Sequence, residues 1–569
     1  MESLDHDLII IGGGGAGLRA AIAAAEQDST LDIAVVSKVY PMRSHTVSAE
    51  GGTGAVMRDY DNYDLHSFDT IKGSDYLADQ DVVEYFVKEA PKEVIQMEHW
   101  GCPWSRDEDG QVSVRAFGGM SVKRTVYAAD KTGFFMLHTL YQNSLKYDNL
   151  TFYDEWFATS LIVDGKRTYG ITAINIKNGS FGALQSRVVI IATGGAGQVY
   201  EFTTNAQIKT GDGMAMAFRA GVALKDMEFV QFHPTALPGT GILMTEASRG
   251  EGGYLVNKDG ERFLKRYLPE KMELGPRDIL SRSIMTEFHE GRGLEGKYGN
   301  YVHLDLRHLG EEMIDTKLPF VRELAKEYVG IDPVYEPIPV RPAVHYMMGG
   351  VNTDIKTQTN LEGLYAVGEV ACVSLNGANR LGSNSLSECL VFGAVAGREA
   401  AKKAKTLAKP SSEVVTKSVA LEEKRVYDGI LKNETGDESI ADIRKDLRHT
   451  MEENVGIFRE DKKLKTAAGA VKKYRERWGK IRVEDKTSIF NTNLIAALEL
   501  DFLIDIASSI VRSALERGES RGSHYRNDYP KRDDTNFLKH SLVFHEKDKM
   551  RVEYLPVTIT KWQPAERVY

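Results

Sequence analysis

The sequence predicts an α/β protein. It reads as a doubly wound dinucleotide-binding domain split by an inserted α+β capping domain, followed by a helical domain and a small C-terminal domain. Three observations predict this. A short apolar run, Asp7 to Ile11, leads straight into Gly12-Gly13-Gly14-Gly15-Ala16-Gly17 and then an Ala-rich stretch, Leu18 to Glu26. The α/β rhythm breaks from about Pro234 to Val340 and resumes after Arg341. Beyond Ser412, apolar residues recur at helical spacing.

The opening motif is read as a buried parallel strand, a glycine turn, a helix and a second strand over Asp32 to Val36. Gly12, Gly14 and Gly17 fill G-x-G-x-x-G, and with Gly15 and Ala16 they let backbone N–H groups and a helix N-terminus approach a pyrophosphate. The position that usually carries a ribose-binding acid holds Ser37, followed by Lys38. Next comes the polar stretch Arg43-Ser44-His45-Thr46-Val47-Ser48-Ala49-Glu50-Gly51-Gly52, in which His45 alone would pass for a loop histidine.

Helices are expected over Asp81 to Met97 and Thr132 to Tyr147, with Phe117-Gly118-Gly119 in a polar loop between them. Short strands follow from Thr151 to Val189, turning at Asn178-Gly179. The strand Val188 to Ala192 then exits into Thr193-Gly194-Gly195-Ala196-Gly197. A closing strand after a β-meander marks the FAD-binding version of the fold rather than the plain NAD one. Asp212 opens an Ala/Met-rich helix, where an acid serves as a cap. Gly363 to Val367 is a late strand ending in Gly368-Glu369.

The expected domains are therefore 1–233 and 341–408 for the two parts of the FAD-binding domain and 234–340 for the cap. A linker at Lys409-Pro410-Ser411-Ser412 leads into a helical domain, 409–530, and a C-terminal domain, 531–569. In the helical domain Ile443, Leu447 and Met451 form one core stripe, and Leu494, Leu498, Phe502, Ile506 and Ile510 another. The block Glu519 to Arg526, with Lys531 to Asp534, is dense in charge. A solvated loop is its default reading, with a structural or subunit contact as the competing one. The last residues, from Asn536, alternate as strands do, Val557-Thr558-Ile559-Thr560 included.

The bulk numbers bound the function. A chain of 569 residues exceeds one core, and 42% hydrophobic with 27% charged residues suits a soluble globular protein. A net charge of −9 without a basic stripe argues against nucleic acid. No apolar run approaches the roughly eighteen residues of a membrane helix, and the first residues lack a signal-peptide pattern. A cytoplasmic chain is expected, able to dock on a membrane subunit. Cys102, Cys372 and Cys389 are too few and too scattered for a four-thiolate iron–sulfur cluster or a Cys-x-x-Cys dithiol, and no metal site is expected. Electrons reaching a flavin here must leave to a separate acceptor.

Five further motifs sit beside glycines or turns: Gln231-Phe232-His233-Pro234-Thr235, Thr245 to Gly253, Gly275-Pro276-Arg277-Asp278, Val344 to Gly350 and Asn376 to Leu386. Together they offer cationic and hydrogen-bonding groups for an anionic substrate, plus groups to move a proton. In this order, and with Arg-Ser-His-Thr at 43–46 and Ser-Lys at 37–38, the chain resembles the flavoprotein subunit of succinate dehydrogenase and fumarate reductase over nearly its whole length.

The resemblance implies FAD bound covalently through His45, flanked by Ser44 and Thr46, with Gly51, Gly52, Asp212, Glu369, Ser385 and Leu386 also at the cofactor. It places Phe117 over the substrate cavity and His233, Thr245, His345 and Arg380 on the substrate carboxylates. Arg277 would be the acid/base residue, relayed to solvent by Glu246 and Arg249. It also implies an iron–sulfur subunit, a membrane anchor and a quinone as electron partners, with the chain held peripherally on the cytoplasmic face of the membrane.

Glu50, Gly101 to Arg106 and the closing Arg-Val-Tyr resemble the fumarate reductase branch more than the succinate dehydrogenase one. Two rivals stand beside this reading. L-Aspartate oxidase shares the fold and most substrate motifs but lacks the histidine at position 45. A non-catalytic flavin-binding subunit would not need Arg277, Glu246 and Arg249 together.

Overall fold

The computed structural model describes residues 2–409, 411–546 and 549–569; Met1 and Pro410 of the expected linker lie outside them. The first sheet has five parallel strands in the order Leu364–Ala366, Val188–Ile191, Leu8–Ile11, Ile33–Ser37, Leu150–Asp154. Its three central strands are buried on both faces, which is why they read as unbroken apolar runs rather than as alternation. The helix Gly15–Gln27 and the long helix Asn384–Ala404 cover one face. The edge strand and the long helix both come from the returning part of the chain, so this domain closes only after the insertion. Beside it lies the meander Trp156–Asp164, Arg167–Asn175, Phe181–Gln185, joined in parallel by Glu2–Asp5.

The insertion has its own antiparallel sheet, Val230–Ala236, Ile338–Met347, Val302–Asp305, Tyr254–Val256, and its own core around Leu255, Phe263, Leu280, Ile284 and Leu304. The positions 233/234 and 340/341 fall inside the first two of these strands, which pair with each other. The cap thus hangs from the rest of the molecule on a two-stranded stem. Helices Ile440–Val455, Asp461–Trp478 and Thr492–Glu516 pack together, with both expected apolar stripes buried.

Two expectations give way. The block from Glu519 to Arg526 is no solvated loop: Arg517, Glu519, Arg521, His524 and Arg526 are each about 1% exposed or less. Arg517 donates to Glu228 at 2.5 Å and to Glu519 at 2.9 Å, Arg521 donates to Glu519 at 2.8 Å, and the N–H of Gly522 reaches Asp75 at 2.8 Å. Charge is tolerated here because each ion is paired and hydrogen-bonded. Val557 to Thr560 are not a strand. Thr558 N–H donates to Asp79, Thr558 carbonyl accepts from Gln80 N–H, and Thr560 N–H donates to Gln80 Oε1. The start of helix Gln80–His99 takes the place of a partner strand. The strands Lys539–His545 and Met550–Pro556 instead extend a sheet begun by Ala371–Cys372, Gly350–Asn352 and Leu224–Lys225.

Candidate active site

Where the first strand ends, the chain is forced to use glycine. A Cβ on Gly17 would stand 1.9 Å from the Gly12 carbonyl oxygen, and Gly12, at φ +115°, passes Ala192 with no room for a side chain. This close packing points the first turn of helix Gly15–Gln27 into a cleft of about 1220 Å³, open solvent included. Gly12, Gly14, Gly15 and Ala16 line it, and Gly17 lies behind them as packing. The helix N-cap, Gly14, offers no capping side chain and the first turn carries no acid, so its N–H groups suit an anionic ligand.

Ser37, Lys38, Ser44, His45, Thr46, Asp212, Glu369, Ser385 and Leu386 line the same cleft. The hydroxyls of Ser44 and Thr193 in this wall are buried without a partner, as expected of groups that meet a ligand. A second helix N-terminus, that of Asn384–Ala404, brings Ser385 and Leu386 to the cleft from the other side. The residues fit a bound dinucleotide along its length. Asp212 is not a cap: Gly211 precedes the helix, and Asp212 accepts from Lys38 Nζ at 2.7 Å. Glu499 takes a second bond from the same ammonium at 2.8 Å. Burial pushes Lys38 down, but the two carboxylates more than reverse that and keep it charged. Glu369 pairs with Lys209 and accepts the Met347 N–H at 3.1 Å.

A second cavity, of about 390 Å³, adjoins the cleft and shares Ala49, His345, Arg380, Ser385 and Leu386 with it. Its remaining wall includes Gly51, Gly52, Phe117, His233, Thr245, Glu246 and Arg277. Phe117 lies so close to Gly51 that a Cβ there would meet the ring at 2.6 Å. Of the expected substrate and proton-transfer residues, only Arg249 lies outside the lining.

Arg277 opens helix Arg277–His289 and donates Nε to Glu246 Oε2 at 2.7 Å, with Nη2 in ion-pair contact with the same oxygen at 2.6 Å. Glu246 Oε1 accepts the Gly118 N–H at 2.7 Å. Burial alone would raise the Glu246 carboxyl, yet Arg277 and Arg249 hold it below its ordinary value, so it is ionised. Arg249 stands 3.8 Å from Glu246 with no hydrogen bond between them, is fully buried, and leaves Nε and Nη2 unpartnered. The first link of the expected relay is hydrogen-bonded here, and the second is not.

Burial and the surrounding arginines push His233 and His345 well below the usual histidine value, so both are neutral. Their rings lie 5.0 Å apart, with His233 Nε2 unpartnered and His345 Nδ1 fixed by the Thr204 hydroxyl at 2.8 Å. His45 is also neutral: burial, then the charge of Lys209, lowers it to about 3. Burial and Arg277 lower Arg380 to about 10, which still leaves it cationic at neutral pH.

Sequence reasoning missed two supports. Gln231 Oε1 accepts from Arg277 Nη1 at 3.0 Å and from Arg380 Nη2 at 3.1 Å, bracing both cations with one amide. Arg380 also lies over the Tyr346 ring at 4.3 Å, and that tyrosine donates to the buried Glu388 at 2.8 Å. Gln231 stood inside a quoted motif, but nothing in sequence spacing links it to residues so far along the chain.

Residues 7–386 match the family model described as FAD binding domain, and residues 444–569 match the one described as fumarate reductase flavoprotein C-term. The chain is 57% identical over 577 residues to the fumarate reductase flavoprotein subunit of Mycobacterium tuberculosis, covering 99% of both. It is 44% identical over 593 residues to the succinate dehydrogenase flavoprotein subunit of Rickettsia bellii, covering 99% of this chain and 98% of that one. Among solved structures, a mutant of E. coli quinol fumarate reductase superposes with a TM-score of 0.98 at 49% identity, covering 100% of this chain and 99% of the other.

Proposed function

The chain belongs to the flavoprotein subunits of the fumarate reductase/succinate dehydrogenase family and is an oxidoreductase acting on a CH–CH group; from that premise we propose that it interconverts fumarate and succinate where its two cavities join, beside FAD attached through His45. The observation that carries this reading is the shared wall. His345, Arg380, Ser385 and Leu386 line both cavities, so a dicarboxylate in one and a flavin in the other would share that lining.

When bound, FAD would supply hydride exchange with one central carbon of the substrate. Arg380 and neutral His345 would hold one carboxylate, and neutral His233 with Thr245 the other, so that the substrate lies flat against the shared wall. In fumarate reduction Arg277 would give a proton to the neighbouring carbon, and Glu246 would stabilise the change at the guanidine and lead the replacement proton in from Arg249. In succinate oxidation the same residues would run in reverse. Neutral His45, next to Lys209, lines the cleft in the uncharged state that an imidazole needs to bond to carbon.

The fumarate direction is supported by relatives 49–57% identical that are named fumarate reductase, against 44% for the succinate dehydrogenase above. Glu50, one of the residues that resemble the fumarate reductase branch, accords with that direction. It lines the substrate cavity, and burial followed by Asp130 raises its carboxyl well above the ordinary value, so it is a neutral acid there. Electrons would be exchanged with a quinone through a separate iron–sulfur subunit, arriving from quinol when fumarate is reduced; the E. coli relative's name, quinol fumarate reductase, supports the quinol end of that chain. Among the described residues no helix is long and apolar enough to cross a membrane. Attachment would be peripheral, through anchor subunits on the cytoplasmic face.

The test is turnover by the chain co-expressed with its partner subunits. Wild type should reduce fumarate and oxidise succinate, and Arg277→Gln should lose about a thousandfold in both directions with flavin content unchanged. Variant turnover within a factor of about two of wild type would remove the proton role. A wild-type complex inert to both substrates would remove the function.

A further inference from the structure

We propose that Arg567 is a positioning residue for Arg277: the segment from Arg567 to Tyr569 straps the cap to the dinucleotide-binding domain and holds the start of helix Arg277–His289 over the substrate cavity. This rests on the role given to Arg277 above. Arg567 grips Asp278, the residue next to Arg277, at two points, Nη1 to Oδ2 at 2.9 Å and Nη2 to Oδ1 at 3.2 Å. The same Nη1 stands 3.5 Å from Asp75 Oδ2, which follows helix Tyr63–Gly73 in the dinucleotide-binding part of the chain. One guanidinium therefore spans the junction between the cap and the dinucleotide-binding domain.

Three observations support a built latch rather than a chance surface pair. Asp278 is buried, which would raise its carboxyl, yet Arg567 and Arg282 bring it down to about 2, so it is an anion throughout the working range. Asp75 adopts φ +54°, a left-handed conformation uncommon outside glycine, and its side chain is held by Arg532 and the Gly522 N–H. Tyr569 lies under the Lys72 ammonium at 4.2 Å and packs beside Gly119, in the loop that begins at Phe117. That loop bonds the cap from the same side, through Gly118 N–H to Glu246 at 2.7 Å and Gly119 N–H to the Leu274 carbonyl at 3.0 Å. The cap turn carrying Arg277 is thus gripped by the Phe117 loop and by Arg567 together.

Without Arg567 the cap still has its two-stranded stem and the bond from Arg282 to the Gly522 carbonyl at 2.7 Å, so the fold should survive while the Arg277 end loosens. The test uses the complex co-expressed with partner subunits and the variants Arg567→Ala, Arg567→Lys, Asp278→Asn and the Ala/Asn double. Arg567→Ala should lower kcat for fumarate at least about tenfold with KM within about threefold, and Arg567→Lys should recover part of the loss. The double variant should be no worse than its worse single, since both act through one contact. Amide exchange should quicken over residues 275–280 and 72–76 in Arg567→Ala and not over the parallel sheet. Unchanged kcat in Arg567→Ala, or losses that multiply in the double, would overturn the positioning role. Unchanged exchange at 275–280 would overturn the strap itself, and that readout needs no turnover. A wild type inert to fumarate alongside a loosened Arg567→Ala would therefore condemn the reaction assignment and leave the strap standing.

Discussion

Gln231 shows how much of this site depends on residues that bear no charge. Its single carbonyl oxygen accepts from two guanidinium groups that would otherwise repel each other, and its amide nitrogen returns two bonds to Asn379 and the Arg380 carbonyl. Gln231→Leu keeps the bulk but removes the acceptor, so both cations lose their orientation. We expect kcat/KM for fumarate to fall on the order of a hundredfold with flavin content unchanged, measured by steady-state turnover of the complex. A loss smaller than about threefold would show that Glu246 and the Tyr346 ring suffice to hold the two arginines. The residues that would meet ligands were legible because their types are costly to place by chance beside glycine. The residues that hold them were not. Gln231, Thr204 and Glu388 act through distances that only the folded chain creates, and an amide, a hydroxyl and a buried acid are each ordinary in a sequence.

At the scale of elements, periodicity identified whatever is buried on a repeating face. The parallel strands, the Ala-rich helix and both apolar stripes of the helical domain appear where the pattern put them. It failed where burial is ionic. The block after Glu516 carries the charge density of a solvated loop, but its arginines find Glu228 and Asp75 in other elements and Glu519 within the block, and vanish from the surface.

The strand Lys539–His545 shows the same principle with a pH dependence. Burial would lower His540, but Asp226 at 2.6 Å and Asp79 at 3.3 Å raise it to about 9. With an unfolded value near 6.5, its contribution is fully present below about pH 6.5 and is lost as pH rises through about 9, on the order of 3 kcal/mol in all. Melting temperature of the complex should fall between those limits, and His540→Asn should flatten that part of the profile. A variant whose profile keeps the wild-type slope would assign the dependence to other groups.

For the whole molecule, the decisive feature is that the dinucleotide-binding domain is completed only after the cap. The late strand Leu364–Ala366 and helix Asn384–Ala404 return to a sheet begun by Leu8–Ile11, so residues from both parts and the cap share one junction. The order of motifs made that architecture readable. The stem did not show in the sequence, because Val230–Ala236 and Ile338–Met347 run on without a break through the places where the composition changes.

His45 lies at this junction, neutral and turned to the cofactor cleft one wall away from Arg277. The most direct measurement is the complex with its partner subunits, denatured in SDS, run on a gel and viewed for flavin fluorescence. We expect a fluorescent band at the size of this chain that disappears in His45→Ser. A dark band, with the flavin released free from wild type, would contradict covalent attachment at His45.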